Sequence, residues 1–151
     1  MRKFDVDLGS VEYSVHIADD IFSKLDDYLM QTKPKGDLVF IVDAFILEKY
    51  FPTNASIRKK AGYFFYVLPG RKNNKSFYSA LKVFEYLDSN NISRDATIVA
   101  IGGGVIGDLA AFVASCWYRG VDLVHIPTTL LSAVDSCLGG KTAINFRSTV
   151  N

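Results

Sequence analysis

Residues 101–145 read IGGGVIGDLAAFVASCWYRGVDLVHIPTTLLSAVDSCLGGKTAIN, and this stretch decides the fold. An apolar strand runs into a glycine-rich turn, which is followed by an apolar helix, a second short strand, a Thr-Thr pair and Gly-Gly-Lys. Glycines let backbone N–H groups approach a pyrophosphate, and the helix that follows directs the positive end of its dipole toward it. The stretch therefore predicts a site for a phosphate-bearing dinucleotide.

The rest of the chain alternates predicted strands and helices. Short apolar runs predict three strands that are buried on both faces, Leu38–Val42, Tyr63–Leu68 and Thr97–Ile101, and a fourth strand, Leu123–Ile126. The intervening segments predict helices: Ala44–Tyr50, a segment ending near Ser89 with Phe77, Leu81, Phe84 and Leu87 on one face, Ile106–Tyr118 and Leu130–Leu138. This alternation predicts an α/β fold, with a Rossmann-like parallel sheet, flanking helices and functional loops at the carboxyl ends of the strands.

The N-terminal residues follow a different pattern. Apolar side chains alternate with polar ones on both sides of Gly9-Ser10, which predicts a β-hairpin with a type II′ turn. Asp19 or Asp20 is then expected to cap a helix.

Composition excludes several classes of protein. The chain has 151 residues, 49% hydrophobic and 22% charged, which predicts one globular domain. Its formal net charge is +1 and its basic residues are scattered, so neither nucleic acid nor an anionic membrane is expected as a partner. No signal-peptide pattern and no membrane-spanning run is present, so we expect a cytoplasmic protein. With two histidines and two cysteines, we expect no metal site in this chain and two buried free thiols.

Gly102, Gly104 and Gly107 match the dinucleotide-binding pattern G-x-G-x-x-G directly after a strand and at the start of a helix. The usual Rossmann fold also has an acidic residue at the end of the following strand, but that strand ends in Ile126-Pro127. The nucleotide is therefore expected to bind in a different manner. Asp43, at the end of an earlier strand, is the better candidate for the ribose, and a helix N-cap explains it equally well.

Three polar residues near the glycines have a structural and a functional interpretation. Asp108 falls in the first turn of the predicted helix, where it could interact with the helix dipole or bond to ribose or amide groups. Thr128 and Thr129 follow a strand and a proline, where they could cap the next helix, bond to sugar and phosphate oxygens, or do both.

Two basic residues and one histidine complete the candidates. Gly139-Gly140-Lys141-Thr142 looks like the end of a P-loop, but the upstream glycine is missing, so a nucleoside-triphosphate site is rejected and Lys141 remains an anion ligand. Arg119, before Gly120, fits a basic helix C-cap. His125, inside an apolar strand, is expected to be a hydrogen-bonded core residue.

Five segments together, GGGVIGDLA, YRG, IPTTLL, VDS and GGKTAIN, resemble the 3-dehydroquinate synthase family of sugar-phosphate cyclases. The resemblance covers nearly the whole chain, residues 1–151, as the N-terminal NAD-binding domain of that family. Iron-dependent alcohol dehydrogenases and glycerol dehydrogenases share the architecture and the GGG turn, but they lack the series of later motifs.

The resemblance implies an NAD- and metal-dependent carbon–oxygen lyase of the shikimate route to aromatic amino acids. Bound NAD would oxidise a hydroxyl of a seven-carbon sugar-acid phosphate, after which phosphate is eliminated, the hydride returns and an aldol reaction closes the ring. The metal, zinc or cobalt, would bind a glutamate and two histidines of a C-terminal helical domain that residues 1–151 do not contain. This chain alone is therefore expected to be inactive, and the full-length protein is expected to be a homodimer.

The resemblance also assigns roles to individual residues. Asp43 would bind the adenosine ribose, and Lys75 is retained in the loop after the second central strand. The glycine-rich turn would surround the pyrophosphate and its sugars through Gly103, Gly104, Val105, Ile106, Gly107 and Asp108. Thr128 and Thr129 would hold the cofactor from the facing loop. Asp135 and Lys141 would reach the nicotinamide and the substrate, and Arg119 would approach the substrate of the neighbouring subunit.

Three positions depart from the family pattern. The loop after the second central strand has Arg71 where the family has glycine and Lys72 where it has glutamate. Val150 stands where the family has a lysine. Two alternatives therefore stay open: a sister cyclase that makes an inosose or a valiolone, and a nucleotide-binding module without catalytic activity.

Overall fold

The computed structural model describes residues 2–7, 9, 12–51, 56–140 and 142–151. These residues form two compact units, one within residues 1–33 and one within residues 34–151. Within the described ranges, no helix is both long and apolar enough to cross a membrane.

The first unit contains a hairpin and a short helix. Strand β1 (Arg2–Asp7) pairs antiparallel with β2 (Glu12–Ile17), and Asp7 lies opposite Glu12. The predicted hairpin is confirmed, whereas the type of turn depends on Ser10, which is outside the described residues. Helix α1 (Leu25–Gln31) begins later than predicted, and its N-cap residue makes no side-chain hydrogen bond. The predicted cap at Asp19 or Asp20 is wrong, because the N-cap position falls at Lys24.

The second unit is a parallel sheet with helices between its strands. The elements are β3 (Leu38–Asp43), α2 (Ala44–Tyr50), β4 (Tyr63–Leu68), α3 (Phe77–Ser89), β5 (Thr97–Gly102), α4 (Gly104–Cys116) and β6 (Asp122–Pro127). The strand order is β4-β3-β5-β6, and all pairs are parallel. The predicted α/β fold is therefore confirmed.

The strand order reverses between β3 and β5. The chain leaves β3 toward β4 on one side and leaves β5 toward β6 on the other. Because parallel crossovers are right-handed, α2 covers one face of the sheet, and α3 and α4 cover the other, where they contact each other. In open α/β sheets, such a reversal opens a crevice at the carboxyl ends of the two central strands.

The buried face of α3 agrees only in part with the predicted one. Leu87 is buried as predicted and Phe84 packs against the core, whereas Phe77 and Leu81 are each 52% exposed, and Ala80 and Val83 are buried instead. The ring of Phe77 instead makes an edge contact with that of Phe112. Ala80, Val83 and Leu87 belong to the same core cluster as residues of β3, β5 and α4.

Helix α4 ends at Cys116, two residues earlier than predicted, and a 3₁₀ turn follows at Trp117–Arg119. Tyr118 and Arg119 both have positive φ, 48° and 71°. The Trp117 indole N–H donates to the Ile92 carbonyl at 3.2 Å, which fixes the turn. Both cysteines are free, but Cys116 is exposed and Cys137 is only half-buried, so the prediction of two buried thiols is wrong.

His125, on β6, differs from the hydrogen-bonded core histidine that the sequence predicts. Its Nδ1 atom is buried and has no hydrogen-bond partner among the described residues. Burial lowers the pKa of His125, and the nearby Asp108 carboxylate opposes this shift. The folded chain therefore favours the neutral imidazole.

The two faces of α3 give a stability prediction. Leu87→Ala should lower the free energy of unfolding by about 2–5 kcal/mol, because it opens a cavity in the core. The matched control Leu81→Ala, on the exposed side, should change it by less than about 0.5 kcal/mol. Urea denaturation of both variants measures the difference, and equal losses would mean that the assigned face is wrong.

The buried imidazole gives a pH prediction. Because the folded pKa of His125 lies below the unfolded value of 6.5, the unfolded chain binds more protons as the pH falls below that value. Stability should therefore decrease from pH 7 to pH 5.5, by at most about 1.4 kcal/mol per pH unit from this residue. His125→Gln should flatten the profile measured by urea denaturation. His16→Gln, an exposed substitution on β2, is the control, and an unchanged slope in His125→Gln would refute the assignment.

Candidate functional site

An open cleft of about 410 Å³ lies at the carboxyl ends of the parallel strands. Residues from all four loops at this edge line it: Asp43, Phe45, Ile46, Gly70, Gly103, Gly104, Val105, Thr128 and Thr129. The cleft is at the reversal of strand order, and it brings together six of the residues that the sequence analysis selected.

The glycine-rich turn leaves backbone donors available. The N–H groups of Ile106 and Gly107 both donate to the Gly103 carbonyl at 3.0 Å. Those of Gly104 and Val105 have no intramolecular partner in the part of the chain that the structure describes. Free N–H groups at a helix N-terminus bind anions, so this turn can accept a phosphate group.

The space above the turn is narrow. A Cβ atom on Gly103 would lie 3.2 Å from Thr129 Cγ2, and one on Gly104 would lie 3.3 Å from Ser136 Oγ. Glycine at both positions therefore keeps open the approach to the free N–H groups.

Ile106 and Gly107 lie behind the turn. Ile106 is fully buried, and a Cβ atom on Gly102 would lie only 2.6 Å from Ile106 Cγ1. Gly107 faces the ring of His125. These two residues support the turn from the core side.

Asp43 is the predicted helix N-cap and also lines the cleft. Its Oδ1 accepts a hydrogen bond from the Phe45 N–H at 2.9 Å and so caps α2. Its Oδ2 faces Gly70, where an added Cβ atom would collide with it. One carboxylate therefore ends β3, starts α2 and lines the cleft.

Lys75 and Asp108 form an ion pair beside the turn. Lys75 Nζ lies 2.7 Å from Asp108 Oδ2, and the two side chains are only 11% and 15% exposed. Because α4 begins at Gly104, Asp108 lies beyond the first turn of the helix, and its partner is a lysine rather than the helix dipole.

The same two residues hold the segment 142–151. Thr142 Oγ1 donates to the Asp108 carbonyl at 2.8 Å, and the Asn145 N–H donates to the Lys75 carbonyl at 2.9 Å. Lys75 Nζ also donates to the backbone oxygen of Asn151. The pair therefore connects the loop before α3, the start of α4 and this segment.

Thr128 and Thr129 have different partners. The Thr128 N–H donates to the Gly102 carbonyl at 2.9 Å, which extends the ladder between β5 and β6. Thr129 Oγ1 accepts the Ser132 N–H at 3.2 Å and caps the helical segment that follows. An accepting Thr129 Oγ1 still has its own O–H available for a ligand.

The three residues predicted to be catalytic are not among the residues that line the cleft. Asp135 is exposed on a π-helical turn, Ser132–Ser136. Arg119 follows the opposite end of α4, about 20 Å away for a 13-residue helix. Lys141 is outside the described residues.

Phe45, Ile46 and Gly70 also line the cleft, although they were not among the predicted site residues. Phe45 and Ile46 lie in the first turn of α2, and Gly70 lies two residues after β4, so closeness to the carboxyl end of a predicted strand was the available signal. No group of three or more potential metal ligands occurs in the described ranges.

Comparison with known proteins identifies the family. Residues 65–151 match the family described as 3-dehydroquinate synthase N-terminal. The 3-dehydroquinate synthase of Alkaliphilus oremlandii is 38% identical over 152 residues, covering 100% of this chain and 42% of that protein. That of Shewanella denitrificans is 38% identical over 147 residues, covering 96% of this chain and 40% of that protein. The chain spans about two fifths of the length of these relatives.

Solved structures share the fold. A 2-deoxy-scyllo-inosose synthase complexed with carbaglucose-6-phosphate, NAD⁺ and Co²⁺ matches with a TM-score of 0.80 and 24% identity, over 98% of this chain and 40% of that one. The 2-epi-5-epi-valiolone synthase of Streptomyces hygroscopicus, with NAD⁺ and Zn²⁺ bound, matches with a TM-score of 0.75 and 25% identity, over 93% of this chain and 39% of that one. The family match and the relatives that are 38% identical show that the chain belongs to the 3-dehydroquinate synthase family, whose N-terminal region it matches.

Proposed function

We propose that this chain is the NAD-binding part of a 3-dehydroquinate synthase-like cyclase, which acts on a seven-carbon sugar-acid phosphate and eliminates phosphate. The observation that carries the proposal is the meeting of four loops around two free N–H groups at the reversal of strand order. Relatives named 3-dehydroquinate synthase support the reaction, and the NAD⁺ in the solved cyclases supports the cofactor.

The residues of the cleft fit the parts of a dinucleotide. The N–H groups of Gly104 and Val105 bind the pyrophosphate, and the Thr129 hydroxyl donates to it from the facing loop. Asp43 accepts hydrogen bonds from the adenosine ribose, as a carboxylate at a strand end does in other dinucleotide sites. When bound, NAD supplies a reversible hydride acceptor for a substrate hydroxyl.

The three predicted catalytic residues are proposed to act together with groups that do not line this cleft. Asp135 and Lys141 are proposed to act on the nicotinamide and substrate side. Arg119 is proposed to serve a neighbouring subunit in a homodimer, which agrees with its position at the far end of α4. A zinc or cobalt ion, as in the two solved cyclases, would need ligands from outside the described residues.

A sister cyclase is the second candidate because of the substituted positions. Lys72 and Val150 replace a glutamate and a lysine of the family pattern, and Val150 is 66% exposed. Loss of a cation here would change how a substrate phosphate is held. Phosphate release from the seven-carbon substrate, compared with a hexose phosphate, distinguishes the two cyclases in a full-length protein.

The glycine-rich turn gives a binding prediction. Gly104→Val adds a side chain next to Ser136, where the phosphates must approach the free N–H groups. NAD affinity, measured by calorimetry, should fall about tenfold or more, which corresponds to about 1.4 kcal/mol. Ser115→Val, at the exposed far end of the same helix, is the matched control and should leave affinity unchanged. Unchanged affinity in a folded Gly104→Val variant would exclude this placement of NAD.

The ion pair beside the turn gives a second prediction. Lys75→Met leaves the Asp108 carboxylate unpaired in a mostly buried position and should cost about 3 kcal/mol of stability. Combining it with Asp108→Asn should restore part of this loss, because no charge is then left unpaired.

The exposed pair Lys3–Asp5 offers a control for this measurement, because its side chains are 50% and 72% exposed. Lys3→Met should cost less than about 1 kcal/mol in the same urea denaturation experiment. Similar losses for Lys75→Met and Lys3→Met would show that the buried Lys75–Asp108 pair stabilises the fold no more than an exposed ion pair does.

A further inference from the structure

Ser132 is a buried polar residue with no role in the proposed function so far. Its side chain belongs to the π-helical turn Ser132–Ser136 and is 1% exposed. Burial of a hydroxyl is unfavourable unless it forms hydrogen bonds. The contacts of this hydroxyl therefore indicate its purpose.

The π-helical geometry brings two side chains to the Ser132 hydroxyl. The Cys137 N–H donates to the Ser132 carbonyl at 3.1 Å, a hydrogen bond across five residues. The widened turn places both Ser136 Oγ, at 3.2 Å, and Cys137 Sγ, at 3.1 Å, next to Ser132 Oγ. In the first contact the Ser136 hydroxyl donates the hydrogen bond and Ser132 Oγ accepts it.

The thiol completes the network. Burial raises the pKa of Cys137, so the S–H group stays protonated at neutral pH. Either the thiol or the Ser132 hydroxyl can donate in their contact, and both groups are therefore satisfied without a charge.

The network touches the glycine-rich turn on one side. Ser136 Oγ lies 3.3 Å from the position of a Cβ atom on Gly104, next to the free N–H groups. The Ser132 N–H donates to Thr129 Oγ1, and the Thr129 methyl group faces Gly103. Ser132 thus connects the two side chains that limit the space above Gly103 and Gly104.

We propose that Ser132 is a positioning residue, whose buried hydroxyl fixes Ser136 against Gly104 and thereby sets the affinity of the turn for the diphosphate of a dinucleotide. The inference rests on the proposed NAD site. Side chains that are already held in their bound arrangement lose less conformational entropy when a ligand binds. Fixing Ser136 in the free protein therefore lowers the entropic cost of binding the diphosphate.

The test compares NAD affinity, by calorimetry, among serine variants of this chain. Ser132→Ala should lower the affinity for NAD about three- to tenfold, because the hydrogen bond that holds the Ser136 side chain is lost. Ser79→Ala is the matched control, because Ser79 is a buried serine that hydrogen-bonds to another serine hydroxyl at 3.2 Å, away from the cleft. The Ser79→Ala variant should lose about as much thermal stability as Ser132→Ala does, and its affinity for NAD should stay unchanged.

A double-mutant cycle separates positioning from a general loss of structure. Ser136→Ala should lower the affinity for NAD by a similar factor. The double variant Ser132→Ala/Ser136→Ala should bind NAD no more weakly than either single variant does. The amide NMR signals of Gly104 and Val105 should shift in Ser132→Ala and stay in place in Ser79→Ala, with no ligand added.

The possible failures are distinguishable. If the wild-type chain binds NAD and Ser132→Ala binds it within twofold, the positioning role is overturned and the proposed function stands. Additive losses in the double variant would overturn it as well, because Ser132 would then act independently of Ser136. If the wild-type chain does not bind NAD while Ser132→Ala still shifts the Gly104 signal, the proposed function fails and only the structural link remains.

Discussion

The structure depends on the passage from β5 into α4 across three consecutive glycines. At Gly102 a Cβ atom would lie 2.6 Å from Ile106, so only glycine lets the helix begin this close to its strand. Among the residues that the structure describes, this close start leaves the N–H groups of Gly104 and Val105 without partners at the carboxyl edge of the sheet. The reversal of strand order beside β5 then opens the cleft in front of them. The remaining loops add side chains to a position that the backbone has already defined.

The central strands β3 and β5 were predictable because burial on both faces requires uninterrupted apolar residues. The edge strands β4 and β6 are only partly buried, although the sequence predicts burial on both faces for Tyr63–Leu68 as well. The buried face of α3 was predictable only in part, because Leu87 belongs equally to a helical stripe with Phe77 and Leu81 and to one with Ala80 and Val83. The choice between two such stripes depends on how closely the helix can approach the sheet. That distance is a tertiary property, and local periodicity does not contain it.

The candidate site also has a part that the sequence predicts and a part that depends on tertiary contacts. Residues that follow directly after strands, such as Asp43 and Thr129, could be placed at one edge from topology alone. The ion pair of Lys75 with Asp108 joins residues 33 positions apart, and no local pattern indicates it. The neutral network around Ser132 requires a π-helical turn, which sequence periodicity does not distinguish from an ordinary helix.

The turn after α4 combines backbone strain with a residue that we propose serves a neighbouring subunit. Tyr118 and Arg119 both occupy the left-handed region, which costs about 1–3 kcal/mol for each residue with a side chain. Glycine at either position would relieve this strain. If Arg119 serves a neighbouring subunit, selection of this protein for heat resistance alone would favour its replacement, and would remove the side chain that a dimeric enzyme needs.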